Sequence, residues 1–136
     1  MSLAAFVGNE SYEIGSGSFF KSFFSTIFVK LEEERWGSRF PVVMNEFYSG
    51  RLKYEQAKDA LKELQAIQQM LSEYSPDQIV WDFEKREAVP PWGDNISPTI
   101  TSLGNYFVTS DGKDLFFVLK RVFSAAEIHR QDVRVE

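Results

Sequence analysis

The sequence predicts an α+β domain in which three main helices and one short helix pack on a small, mainly antiparallel sheet. Apolar residues recur three and four apart over residues 19–31, 54–74 and 114–129, while the β-rich runs are brief and scattered. A chain of 136 residues with no internal repeat, low-complexity linker or shift in composition has room for one core, so residues 1–136 are read as a single domain.

From the start of the chain, 3–7 and 12–14 read as short strands of a hairpin, broken by Gly8, Asn9, Glu10 and Ser11. After Gly15, Ser16 and Gly17, Ser18 has the chemistry of an N-cap for a helix whose residues Phe19, Phe20, Phe23, Phe24, Ile27, Phe28 and Leu31 form one wide apolar stripe. Gly37 and Pro41 interrupt it. A short helix over 42–48 is expected next, with Pro41 at a favoured first-turn position and Gly50 as a stop. In the 54–74 helix, Tyr54, Ala57, Leu61, Leu64, Ile67 and Leu71 share a face, and Glu55 with Lys58 and Asp59 with Lys62 pair on the polar side.

The β-type run Ile79, Val80, Trp81, Asp82, Phe83 reads as an inner strand. Pro90 and Pro91 make 88–98 an extended, presented loop, since neither can donate a backbone hydrogen bond. A short strand at 106–108 and a turn at Ser110, Asp111 and Gly112 precede the last helix, which carries Leu115, Phe116, Leu119, Val122, Phe123 and Ala126 on one face. Val133 and Val135 flank Arg134 as a closing strand.

Composition narrows the function classes. With 43% hydrophobic and 26% charged residues the chain is an ordinary globular one. Thirteen Phe, five Tyr and three Trp, at about 150–250 Å² buried per ring, are more than enough to fill a small core and leave rings for a surface. The absence of cysteine removes disulfides, thiolate metal sites and thiol nucleophiles, and suits a reducing compartment; a cytoplasmic location is expected. Residues 1–10 show no leader pattern, and no run of about 18 apolar residues suggests a membrane span. A net charge of −5 argues against nonspecific nucleic-acid binding and suits a basic partner.

No catalytic set emerges. The segment Gly15, Ser16, Gly17, Ser18 matches neither phosphate-binding glycine pattern and is read as a turn and cap. His129, the single histidine, fits a surface position at a helix C-terminus, and no nucleophile or orienting carboxylate is spaced to work with it. Asp82, Glu84 and Asp94 lack calcium-loop spacing and are read as strand-edge and loop carboxylates. No cofactor and no metal are expected. Glu32, Glu33 and Glu34 read as a solvated helix end whose charge opposes the helix dipole, or as part of a surface for a cation.

Two loops carry more information. Trp36, Gly37, Ser38, Arg39, Phe40, Pro41 and Pro90, Pro91, Trp92, Gly93, Asp94, Asn95 each place a tryptophan beside glycine in a segment barred from regular helix, with charge nearby. Such residues anchor interfaces, with Trp36, Arg39, Trp92 and Asp94 as the partner-binding candidates. The alternative is that both rings fold inward as lids.

These segments also carry a resemblance. The Ser-Phe-Phe-Ser-Thr-Ile stretch at 22–27, the 36–41 loop, Pro90-Pro91-Trp92-Gly93, and Asn-Tyr-Phe-Val-Thr-Ser-Asp-Gly at 105–112 resemble the bacterial Imm70 immunity proteins, in the same order along most of the chain. The resemblance implies a protein encoded beside a polymorphic toxin, which it binds and neutralises. Such a protein needs a preformed surface and no chemistry of its own, so an enzyme is not expected. The competing reading is a small-molecule-binding domain or small enzyme whose aromatic pocket uses Asp82, Asp94 or His129; a cleft joining them would favour it. A third is a homodimer through the Phe-rich helix, against which stands the usual burial of such a face in the core.

Overall fold

The computed structural model describes residues 2–136; Met1, the first residue of the stretch read as lacking a leader, lies outside them. Strands β1 (Ser2–Val7) and β2 (Glu10–Ser16) form an antiparallel hairpin in which Val7 faces Glu10, leaving Gly8 and Asn9 as the turn. Gly8 takes φ +58°, a conformation open to glycine. β3 (Arg51–Leu52) and β4 (Val133–Val135) complete a four-stranded antiparallel sheet in the order β2-β1-β4-β3, so the chain's two ends lie side by side. The α+β expectation is met, with 42% of the chain helical and 15% strand.

The sheet alternates as period-two geometry requires. Ala5, Val7, Ile14, Leu52 and Val133 enter the core, while Arg134 and Arg51 pair on the opposite face. Helices α1 (Gly17–Lys30), α2 (Ala57–Leu71) and α3 (Leu115–His129) cover the inward face, α1 and α3 against the strands and α2 packed on α3. Asp114 caps α3, its side chain accepting from Phe116 N–H at 2.8 Å. The cap of α1 is Ser16 rather than Ser18: β2 runs directly into the helix, and Ser16 Oγ accepts from Phe19 N–H at 3.1 Å. Ser16→Ala is therefore expected to lower stability by about 1 kcal/mol in urea unfolding, and Ser18→Ala to change it by less than about 0.5 kcal/mol.

The short helix forms at Val42–Phe47 as a π-helical turn, in which Tyr48 N–H donates to Val43 C=O. One expectation fails. Residues 79–83 are not an inner strand but a half-buried loop after the 3₁₀ turn Pro76–Gln78. Side chains of α1 take part of its backbone: Val80 N–H donates to Thr26 Oγ1 (3.2 Å), Thr26 Oγ1 lies 3.1 Å from Val80 C=O, and Phe83 N–H donates to Ser25 Oγ (3.1 Å). The Val80 and Phe83 groups met this way are taken from any strand ladder. Ser22, Ser25 and Thr26 are accordingly buried, and α1 is covered on the apolar stripe by the core and on this side by the loop. The 106–108 strand reduces to a single bridge between Val108 and Asp114.

Candidate functional site

The loop layer over α1 holds the sequence-predicted partner residues. Its first part, 32–43, is built around two carboxylates. Glu32, expected to be solvated, is 1% exposed. Its Oε1 accepts from Gly37 N–H (2.9 Å) and its Oε2 from Arg39 N–H (3.1 Å) and Phe40 N–H (3.0 Å). Glu63, reaching from α2, accepts from Val42 N–H (3.2 Å) and Val43 N–H (2.8 Å). Ser38 N–H donates to Arg35 C=O and Pro41 has none to give, so every backbone donor from Gly37 to Val43 is accounted for. Burial raises the Glu63 carboxyl above the ordinary carboxylate range, against the lowering by its two backbone donors. Gly37 takes φ +74°, a conformation that favours glycine, and an added Cβ would also displace the exposed Asn45 side chain, whose Nδ2 would stand 2.6 Å away.

Trp36 is half-buried in this frame. Its Nε1–H donates to Met44 C=O (2.9 Å), and its ring packs on Phe28, Tyr48 and Phe83 at centroid distances of 5.3, 5.0 and 5.3 Å. These rings border an apolar groove of about 430 Å³. Arg39 is exposed and steadied by a hydrogen bond from Nη1 to Leu31 C=O (3.2 Å). Of the three consecutive glutamates only Glu33 and Glu34 are solvent-facing, and Glu34 pairs with Arg86, tying the helix end to the second loop.

The second loop is a succession of turns rather than extended chain, with Gly93 N–H donating to Pro90 C=O at 2.9 Å. Trp92 is 39% exposed but held by its indole: Nε1–H donates to the hydroxyl of buried Tyr106 (2.9 Å), and the ring meets Trp81 edge-on at 5.3 Å. Burial pushes the Tyr106 phenol up; the Trp92 hydrogen bond opposes this and the Asp94 charge adds to it. Val89, on the same loop, is 71% exposed. A groove of about 880 Å³ runs between 76–79 and 86–96, with Asp77, Glu87 and Asp94 among its walls and, among the described residues, Arg86 as its one cation. The two tryptophans share one layer without joining: Trp36 rests on Phe83 and Trp92 on Trp81. Sequence reasoning missed Val89, Glu87 and Asp77; Glu87 and Val89 just before Pro90 were the available signal, and Asp77 is brought to them only by the fold.

The residues of the pocket reading are dispersed. Asp82 and Glu84 both bind the ammonium of Lys21, Asp82 at 3.2 Å. The Glu84 N–H donated to Asp82, with Lys21 beside it, holds that carboxyl below its ordinary range despite partial desolvation. The groove that Asp94 lines reaches neither Asp82 nor His129, and His129 is exposed at the end of α3. Among the described residues no group of three or more His, Asp or Glu is placed to hold a metal ion, and no helix is long and apolar enough to cross a membrane.

The family model described as Immunity protein 70 (Imm70) matches residues 5–135, and the chain belongs to that family. No curated protein and no solved structure matches it.

Proposed function

From its membership of the Immunity protein 70 family, we propose that this chain neutralises a cognate bacterial toxin, in the cytoplasm of the producing cell, by direct binding and without catalysis. The observation that carries the binding surface is Trp92: a large ring part-exposed on a loop yet fixed from below by Tyr106 and Trp81. A ring held this way loses little freedom on association, which makes it a strong anchor. The adjoining groove, which shares Tyr106 with the Trp92 site, adds exposed Val89 and the negative charges of Asp94, Glu87 and Asp77. That charge would steer and orient a basic toxin surface. Arg39, lying over the Phe40 ring and bonded to Leu31 C=O, stands on the first loop of the same layer.

The test is co-expression with the toxin domain encoded beside this protein, scoring survival and co-purification. The wild-type chain is expected to rescue growth and form a one-to-one complex. Trp92→Ala combined with Arg39→Ala should keep the fold and weaken the complex by about 2 kcal/mol or more, roughly 30-fold in Kd. Unchanged affinity in that folded double variant would rule out this surface.

A further inference from the structure

On the sheet edge, β3 places Arg51 directly opposite Arg134 of β4. The neighbouring pair is hydrogen-bonded, with Val135 N–H donating to Gly50 C=O at 2.8 Å, so the arginines occupy the non-bonded position at which facing side chains stand closest. Like charges there are destabilising. A third guanidinium comes from Arg130, the left-handed residue ending α3 at φ 52°, and with Tyr54, Gln131 and Asp132 the three arginines line a polar depression of about 340 Å³.

Little neutralises them. Among the described residues Asp132 is the one carboxylate in the lining, and its Oδ1 already accepts from Tyr54 N–H at 3.0 Å. Glu136 Oε2 stands 3.9 Å from Arg134 Nε, at the margin of an ion pair, and the Arg134 guanidinium lies over the Phe6 ring at 5.6 Å. Among the described residues Arg51 and Arg130 make no ion pair. Three under-neutralised guanidiniums around one hollow are unexpected on a chain of net charge −5. We propose that this hollow is an anion site for a phosphate group, whose oxygens can take forked hydrogen bonds from Arg51, Arg130 and Arg134 together. The site shares no lining residue with the groove beside Trp92 and does not depend on the toxin-binding reading.

The test compares thermal midpoints of the full chain in sodium chloride and in inorganic phosphate at matched ionic strength. Phosphate is expected to raise the wild-type midpoint by several degrees over chloride, through preferential binding to the folded state. Arg35→Gln, on an exposed arginine elsewhere, should retain the shift. Arg51→Gln with Arg134→Gln should abolish it, while raising the midpoint in low-salt chloride because the cross-strand repulsion is gone. Should that double variant fail to fold, Arg130→Gln, beyond the helix end, should weaken phosphate about tenfold in a titration followed by amide chemical shifts. A nucleoside monophosphate binding as inorganic phosphate does would identify the free phosphate group as the ligand; tighter binding would identify a nucleotide that also uses the Tyr54 ring. Equal midpoints in phosphate and chloride, or a phosphate shift or affinity retained in the variants, would overturn the proposal.

Discussion

Phe23→Ala is expected to lower the unfolding free energy by about 3–5 kcal/mol, the largest effect of any single truncation discussed for this chain. Phe23 is fully buried and meets Phe24, Phe107 and Phe116 edge-on at centroid distances of 5.3, 5.3 and 5.4 Å. It thereby joins α1 to the 103–109 segment and to α3. Truncation removes the ring's transfer free energy and leaves a void that Phe24 on the same helix and two rings held by other elements cannot close. Domains of this size have a total stability of roughly 5–15 kcal/mol, so the variant should remain folded at low temperature with a midpoint lowered by about 10–15 °C. Phe23→Leu, which keeps most of the volume, should lose less than about 1.5 kcal/mol. Urea unfolding of the three proteins checks the order, and equal losses for Ala and Leu would contradict the packing described.

The second large effect is expected at Glu32, where alanine should cost about 3 kcal/mol although the residue stands in a run of three glutamates. Its carboxylate takes three backbone donors of the 37–40 turn, and its removal leaves them unmet in a partly dry loop. Glu32→Gln should cost less than alanine but still destabilise, because its amide oxygen can keep the Arg39 and Phe40 donors while its nitrogen would face Gly37 N–H in place of an acceptor. The consecutive left-handed residues Glu33 (φ 52°) and Glu34 (φ 60°) add local strain that this staple helps to hold. Glu33→Ala, on an exposed side chain, should change stability by less than about 0.5 kcal/mol. Loss of Glu32 should also free Trp36 and Arg39, visible as faster amide exchange over 37–43.

These two sites differ in how far the sequence reveals them. The Phe23 cluster follows from spacing, since apolar residues four apart on a helix must share a face. The three glutamates are identical as letters. Glu32 is distinguished only by where the chain turns after Leu31, which brings the Gly37, Arg39 and Phe40 amides back onto it. Ser16 and Ser18 are likewise equivalent caps by residue type, and the choice depends on β2 entering α1 without a loop.

The 79–83 segment has the composition of a strand, yet Thr26, far away in sequence, meets its backbone first. β3 is two residues long and leaves no periodicity to read. The candidate surface was legible as two irregular loops bearing Trp36, Arg39, Trp92 and Asp94. What sequence could not supply was the Trp92 to Tyr106 hydrogen bond that holds one ring in place, or the bond from Trp36 to Met44 that draws the other inward. The arginines 51, 130 and 134 meet only through the pairing of distant strands.

The most direct test of the central claim is hydrogen exchange of this chain, free and bound to the toxin domain encoded beside it. Slowed exchange over 86–96 on complex formation, with a weaker effect over 36–40, is the predicted result. Protection confined to other parts of the chain, with 86–96 exchanging as in the free protein, would contradict it.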